Sequence, residues 1–252
     1  MFAKTFKLAA VMVLVTGILV AVIGDAQASY LVQAQPMKIA AAEGIWHNTG
    51  RHAPWAVVGI VDAQQHQIKD AVRIPDLLTI LAYQRLSGSF VGIATLQRAA
   101  VKKYGPGNYV PPVAPTFYAF RVMILAGVAV ILAGFWSTIR LFANKFLANR
   151  RLLKMMVWTL PLPYLANSAG WIMTEVGRQP WVVYGLLTTS RGVSPAQTVP
   201  ATDIVISLVL FTAIYTAIAV AAAFLFKKFT DLGATPEKVR LQGASDDYLH
   251  VV

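Results

Sequence analysis

A carboxylate lies near the end of a long apolar run, among neighbours that could share its chemistry. Intervals of four, four and three residues separate Asn167, Trp171, Glu175 and Arg178. This spacing places all of them on one face of a helix. A carboxylate at membrane depth is costly and is a functional candidate by default. Three roles fit Glu175: a ligand of haem iron, a proton relay, or an interfacial carboxylate paired with Arg178.

A second candidate pair, Arg121 and Met123, stands near the start of another apolar run. A methionine thioether can bind haem iron, and an arginine can neutralise a haem propionate or an anionic quinone. The alternatives are a packing methionine and an arginine that reaches out to the membrane surface. Two residues on a helix point about 200° apart. The two side chains would therefore serve different parts of one site.

A third candidate pair, Lys38 and Glu43, lies in the block QPMKIAAAEG at residues 35–44. One interpretation is a solvent-exposed helix face. The other is a pair of polar groups that binds a quinol head group and accepts its proton. The residue spacing alone leaves both interpretations open.

The histidine and cysteine content limits the cofactors that this chain can hold by itself. The absence of cysteine excludes disulfides, zinc fingers, iron–sulfur clusters and covalent haem attachment through CxxCH. A membrane haem usually needs at least one histidine within a span. All four histidines lie outside the apolar runs: His47, His52, His66 and His250.

The elements that must position these residues are membrane helices. The chain is 57% hydrophobic and only 13% charged, whereas a soluble domain is nearer half apolar and a quarter charged. A span needs about 20 mostly apolar residues. Prolines 161 and 163 should kink the third of the four stretches that qualify, which are about Phe6–Gly24, Tyr118–Arg140, Leu153–Val176 and Ile204–Phe226.

The basic residues predict the orientation of the spans. The net charge is +11, but these charges bracket the apolar runs and form no stripe, which argues against nucleic acid as a partner. Short loops rich in lysine and arginine stay in the cytoplasm. That rule places both termini inside and residues 25–116 outside. The residues that decide it are Lys4, Lys7, Arg140, Lys145, Arg150, Arg151, Lys154, Lys227, Lys228, Lys238 and Arg240.

The first span has an alternative interpretation as a cleaved leader. Lys4 and Lys7 precede a short apolar run, and residues 26–28, Ala-Gln-Ala, resemble a cleavage site. An exported binding protein would then be a further possibility. The outer segment that follows is expected to be loop with short helices near Met37–Glu43 and Pro75–Leu86.

Three blocks resemble one family in order and spacing. GWIMTEVGRQPW at residues 170–181 resembles a signature of subunit I of cytochrome bd-type quinol oxidases. QPMKIAAAEG resembles the start of that family's quinol-binding loop, and YAFRVM at residues 118–123 resembles the entry to the helix after the loop. The family also has a membrane helix before the loop, ending in Gly-Asp like Gly24 and Asp25. A retained first span is therefore expected.

The resemblance implies a role for each candidate. Met123 resembles the axial ligand of the low-spin haem b558, and Glu175 the ligand of the high-spin haem b595. Arg121 resembles the arginine beside haem b558, and Trp171 the tryptophan packed near the haems. Arg178 falls within the signature and is expected to bind cofactor. Lys38 and Glu43 resemble the loop residues tied to quinol oxidation, and oxygen would be reduced at a third haem, d or a b in its place.

The chain supplies only the last four spans of this larger family. The missing half carries the histidine ligands, which fits the absence of histidine from the spans here. We therefore expect an all-α inner-membrane protein that works with the N-terminal half, oxidase subunit II, lipid, quinol and oxygen. The alternative is a non-catalytic remnant or accessory subunit. The expected parts are a first helix (1–24), a periplasmic quinol-binding loop (25–116), a three-helix membrane domain (117–228) and a cytoplasmic tail (229–252).

Overall fold

The computed structural model of the chain describes residues 2–142, 150–195 and 198–232, which fall into two units, Met1–Gly192 and Val193–Val252. Most of the predicted tail, including His250, lies outside the described residues. The elements in chain order are α1 (Phe2–Ala34), α2 (Pro36–Glu43), β1 (Trp55–Asp62), β2 (Gln67–Ile74), α3 (Leu77–Tyr83), α4 (Ile93–Tyr104), α5 (Val113–Phe142), α6 (Arg150–Thr159), α7 (Leu162–Val176), β3 (Trp181–Val183), β4 (Leu187–Thr188) and α8 (Ala201–Leu232).

Three helices are long and apolar enough to cross a membrane: α1, α5 and α8. They contain the predicted first, second and fourth spans, and each extends beyond the predicted ends. With 33, 30 and 32 residues they are about 45–50 Å long, so their ends project beyond a hydrocarbon core of about 30 Å. In the first unit α1 packs along α5, and α5 packs along α7.

The third predicted span is not the single helix that the hydropathy indicated. Helix α6 ends at Thr159 and α7 begins at Leu162, so two helices of ten and 15 residues replace it. The break falls at Pro161, whose ring removes a backbone donor and disfavours a helical conformation for Leu160. The prolines thus interrupt the run more severely than the predicted kink.

The segment between α1 and α5 is more ordered than the sequence predicted. Both expected short helices are present, as α2 and α3. The hairpin of β1 and β2 was not expected, and a second small hairpin, β3 with β4, follows α7. The fold is thus mainly helical with two two-stranded antiparallel sheets rather than purely helical.

Helix α2 lies at the centre of the main core. Every residue from Met37 to Glu43 is buried, and Ala41 and Ala42 have no exposed surface. Small side chains let neighbouring elements approach α2 closely. The apolar residues of this core come from α1, α2, β1, α3, α4, α5 and the loops between them, and include Met37, Ile39, Ala53, Trp55, Leu78, Phe90, Ile93 and Val113.

The end of α2 also receives the β-hairpin. Gly44 terminates the helix in the left-handed conformation, with φ +64°. A Cβ at Gly44 would lie 2.5 Å from Cδ1 of Ile68, a residue of β2. Because Gly44 has no side chain, it can adopt the left-handed conformation that ends α2, and Ile68 of the hairpin can pack against it.

We expect Gly44→Ala to lower the free energy of unfolding by about 1–2 kcal/mol, because alanine resists the left-handed conformation and would displace Ile68. Thermal unfolding of the detergent-solubilised chain measures this. Gly50→Ala is the control, since nothing lies within 4 Å of a Cβ built at that position. Equal unfolding midpoints for the two variants would contradict this view of the α2 terminus.

Candidate functional site

A buried ion pair joins the segment between α1 and α5 to helix α5. Nη2 of Arg121 lies 2.6 Å from Oε2 of Glu43, and the two side chains are only 4% and 5% exposed. The solvent-exposed face considered for Glu43 is therefore wrong, and so is the surface-reaching arginine. A buried charge requires a partner and satisfied hydrogen bonds, and this pair meets the first condition directly.

Arg121 meets the second condition through backbone carbonyls. It donates from Nε and Nη2 to the carbonyl of Ala56 in β1, at 3.0 and 2.9 Å, and from Nη1 to the carbonyl of Ala42 in α2. Its guanidinium also lies 3.9 Å from the ring centroid of Phe117. One side chain thus ties α5 to both α2 and the hairpin.

The charge of Glu43 is set by two opposing effects. Burial raises the pKa of its carboxyl, and the Arg121 guanidinium pulls that pKa down through its charge and its hydrogen bond. A carboxyl held between these effects can exchange a proton when its partner or its solvation changes. Burial is the larger of the two effects, so the pKa of Glu43 lies above its usual value.

Lys38 lies on a different side of α2 from Glu43 and is 7% exposed. Its neighbour is the turn after α7, where a Cβ on Gly177 would stand 3.2 Å from Cγ of Lys38. Burial and then the Arg178 charge lower the pKa of Lys38, and Glu175 opposes that shift. The structure therefore separates the predicted pair, with Glu43 at Arg121 and Lys38 near Arg178.

The predicted stripe on α7 is present. Arg178 pairs with Glu175, as the interfacial interpretation anticipated, and their side chains are 36% and 43% exposed. Asn167 and Trp171 are exposed along the same face, with Trp171 at 61%. Arg178 stands in the turn beyond the end of α7. The exposed face of α7 thus carries the indole of Trp171 and the carboxylate of Glu175, and a ligand or another chain could contact both.

Met123 brings α5 against the start of the signature on α7. It is half-buried, and a Cβ on Gly170 would lie 3.1 Å from its Sδ. The two helices that carry the predicted iron ligands are therefore in direct contact. Arg121 contacts α2 and Met123 contacts α7. This agrees with the angle of about 200° expected between the side chains of two helical residues that are two positions apart.

The sequence reasoning missed a cleft between α2 and the turn after α7. We call it the α2–α7 cleft. Its polar lining is Gln35, Lys38, Arg178 and Gln179, and its aromatic lining is Tyr109, Trp181 and Tyr184. The rings of Trp181 and Tyr109 stack at 5.5 Å between centroids. The GRQPW motif at residues 177–181 was the sequence signal for the aromatic side of this cleft, because Trp181 is its last residue.

Within the described residues, no cluster of three or more histidine, cysteine, aspartate or glutamate side chains could hold a metal ion. His47, His52 and His66 all lie outside the helices.

Comparison with known proteins assigns the chain to a family. The family model described as cytochrome bd terminal oxidase subunit I matches residues 1–234. The chain belongs to this family. It is 42% identical over 92% of its length to cytochrome bd ubiquinol oxidase subunit 1 of Bacillus subtilis, and 30% identical over 84% to cytochrome bd-II ubiquinol oxidase subunit 1 of Escherichia coli.

A solved structure agrees with the family assignment. The bd oxidase of Geobacillus thermodenitrificans matches 90% of this chain with a TM-score of 0.75 and 28% identity. The chain spans about half the length of the curated relatives it matches, 49% and 51% of the two named above, and 49% of the solved chain. It is therefore a multi-pass membrane protein that corresponds to part of a subunit I, as the three blocks predicted.

We expect Glu43→Gln to destabilise the chain by about 3–5 kcal/mol, because it leaves Arg121 as an uncompensated buried charge. Thermal unfolding of the purified chain would show this. Asp62→Asn is the matched control, since it breaks an ion pair with Lys69, whose side chain is 43% exposed. Exposed pairs contribute little to stability. Equal losses in the two variants would contradict a structural role for the buried pair.

Proposed function

We propose that this chain forms the C-terminal half of subunit I of a quinol:oxygen oxidoreductase in the bacterial inner membrane. Membership of the family supports the reaction class. The observation that carries the proposal is the contact of α5 with α7, which brings Met123 and the Glu175 helix together. Haems b558, b595 and d, or a b in place of d, supply electron transfer and oxygen reduction when bound.

The residues fit these haems unequally. Glu175 fits a ligand of haem b595, because its half-exposed carboxylate stands on an open face beside the exposed ring of Trp171. Met123 would hold haem b558 through its thioether, a group that can bind haem iron. Arg121 makes four hydrogen bonds within the chain. Its effect on haem b558 would therefore be electrostatic.

We place quinol oxidation at α2. Glu43 accepts a proton from the quinol hydroxyl, since burial raises the pKa of its carboxyl against the opposing charge of Arg121. Lys38 lies on the other side of α2, at the α2–α7 cleft, so its part in quinol oxidation is that of a positive charge near the head group of a ubiquinol or a menaquinol. Protons released there leave on the outer face, whereas those used to form water enter from the cytoplasm.

The topology proposed for the working protein has four spans, with α6 and α7 together forming the broken third one. Residues between α1 and α5 form the periplasmic quinol loop, and both termini are cytoplasmic. The N-terminal half of subunit I, oxidase subunit II and membrane lipid complete the assembly. The basic residues at the inner ends of the helices support this orientation.

A second candidate function is that of a non-catalytic remnant or an accessory subunit that docks on an intact oxidase. The observation that favours it is the position of His47, His52 and His66 outside the described helices. An in-frame five-helix half immediately upstream in the DNA supports the first function. Purification of this chain alone with a stable low-spin haem would exclude the strictly non-catalytic form.

We expect co-expression with the N-terminal half and subunit II to yield a complex with low-spin and high-spin haem spectra that consumes oxygen with quinol. Met123→Leu should abolish the low-spin band and Glu175→Gln the high-spin band, because each removes an iron ligand. Absorption spectra of reduced membranes report both.

Two variants serve as controls for that experiment. Met12→Leu changes an exposed methionine of α1, and Asp203→Asn changes the acidic residue in the first turn of α8. Both should keep the two bands. A complex without haem bands or oxygen consumption would refute the proposed function.

A further inference from the structure

Six of the described cations lie at one end of the first unit. There the start of α1, the end of α5 and helix α6 meet around a small core of Ala10, Leu141 and Leu152, with Phe6 packed against it. Residues 1–24 and 117–174 contain no aspartate or glutamate. Like charges repel one another, so an anion from outside the chain would stabilise this end. Its cations, which we call the basic end, are Lys4, Lys7, Arg140, Arg150, Arg151 and Lys154.

Helix α6 shows which way its charges face. Leu152 is 2% exposed, and the Sδ of Met156 accepts a hydrogen bond from a serine of α5, so these two residues mark the packed face. Arg150, Lys154 and Trp158 follow one another at steps of four on the opposite face, and all three are exposed. Within the described residues, neither Arg150 nor Lys154 has an ion-pair partner.

The order of residues along this exposed face fits a membrane surface. Trp158 is 80% exposed and lies one turn beyond Lys154, about 6 Å along the helix axis. On α5 the Arg140 guanidinium lies 5.0 Å from the ring centroid of Trp136, which is also exposed. Cations and indoles concentrate together at the boundary between lipid head groups and acyl chains. A soluble anion would engage the cations but leave both indoles in water.

The surfaces next to the basic end are apolar. Helices α1 and α5 are long and apolar enough to cross a membrane. Their exposed side chains near this end include Leu8, Met12, Leu132, Phe135 and Ile139. The cations therefore lie beside surfaces that hydrocarbon can cover, which favours a lipid over a nucleic acid as the source of the anion.

We propose that the basic end is a docking surface for anionic phospholipid. Arg140, Arg150 and Lys154 contact the phosphate groups, and Trp136 and Trp158 lie against the acyl chains. The bound lipid fixes the depth at which α6 enters the membrane. This inference goes beyond the proposed oxidase reaction and does not depend on it, because it involves none of the candidate haem or quinol residues.

The test compares two phospholipids on the purified chain in detergent. Phosphatidylglycerol carries a net negative charge and phosphatidylcholine carries none, and native mass spectrometry measures how strongly the chain retains each. We expect the wild type to prefer phosphatidylglycerol by roughly 100-fold, about fivefold for each of the three cations, as is typical of cations at an anionic membrane surface. The double variant Arg150→Gln with Lys154→Gln should lose about 25-fold of that preference.

The matched control is Arg98→Gln with Lys102→Gln, which removes two exposed cations from α4 and should keep the wild-type preference. Lys154→Arg should keep it too, because the charge is retained. Glycerophosphoglycerol, which is the same head group without acyl chains, should fail to displace the lipid. Equal retention of both lipids by the wild type, equal losses in the α4 and α6 double variants, or displacement by glycerophosphoglycerol would each overturn the proposal.

Discussion

The buried pair of Arg121 and Glu43 is the constraint on which the rest of the arrangement depends. Removing two charges from water costs several kcal/mol for each ion, and the cost is offset only when the partner and the hydrogen bonds are in place. Here the partners come from α5, α2 and β1 together. The segment between α1 and α5 therefore packs against α5 in the one register that gives both charges their partners.

That register brings α2 against both helices that carry the iron-ligand candidates. Its Glu43 side meets the helix that carries Met123, and its Lys38 side meets the turn that follows Glu175. The alanines between them have almost no exposed surface, so the approach is close on several sides. Residues of α2 therefore contact both helices on which the iron-ligand candidates lie.

The local sequence pattern predicted several features of the fold and the site. Most of the features that it missed depend on contacts between residues far apart in the chain. The spacing on α7 identified the pair of Glu175 and Arg178, because three residues make one helical turn. The burial of Glu43 was not visible, since its partner lies 78 residues away. The first hairpin was missed because the β1 sequence is apolar on both faces and its turn contains no glycine. The hydropathy of residues 153–176 suggested one helix, but the chain forms two helices there, with the break at Pro161.

The most direct test of the central claim, that α2 is held against α5, uses the absence of cysteine from the chain. Ala42 and Ala119 belong to one buried cluster, together with Met173. In the double variant Ala42→Cys with Ala119→Cys, a short thiol cross-linker should join the two positions within one chain, as mass spectrometry of the linked peptides would report. The link should weaken when Arg121→Gln is added. Absence of the link in the otherwise native, folded chain would contradict the account.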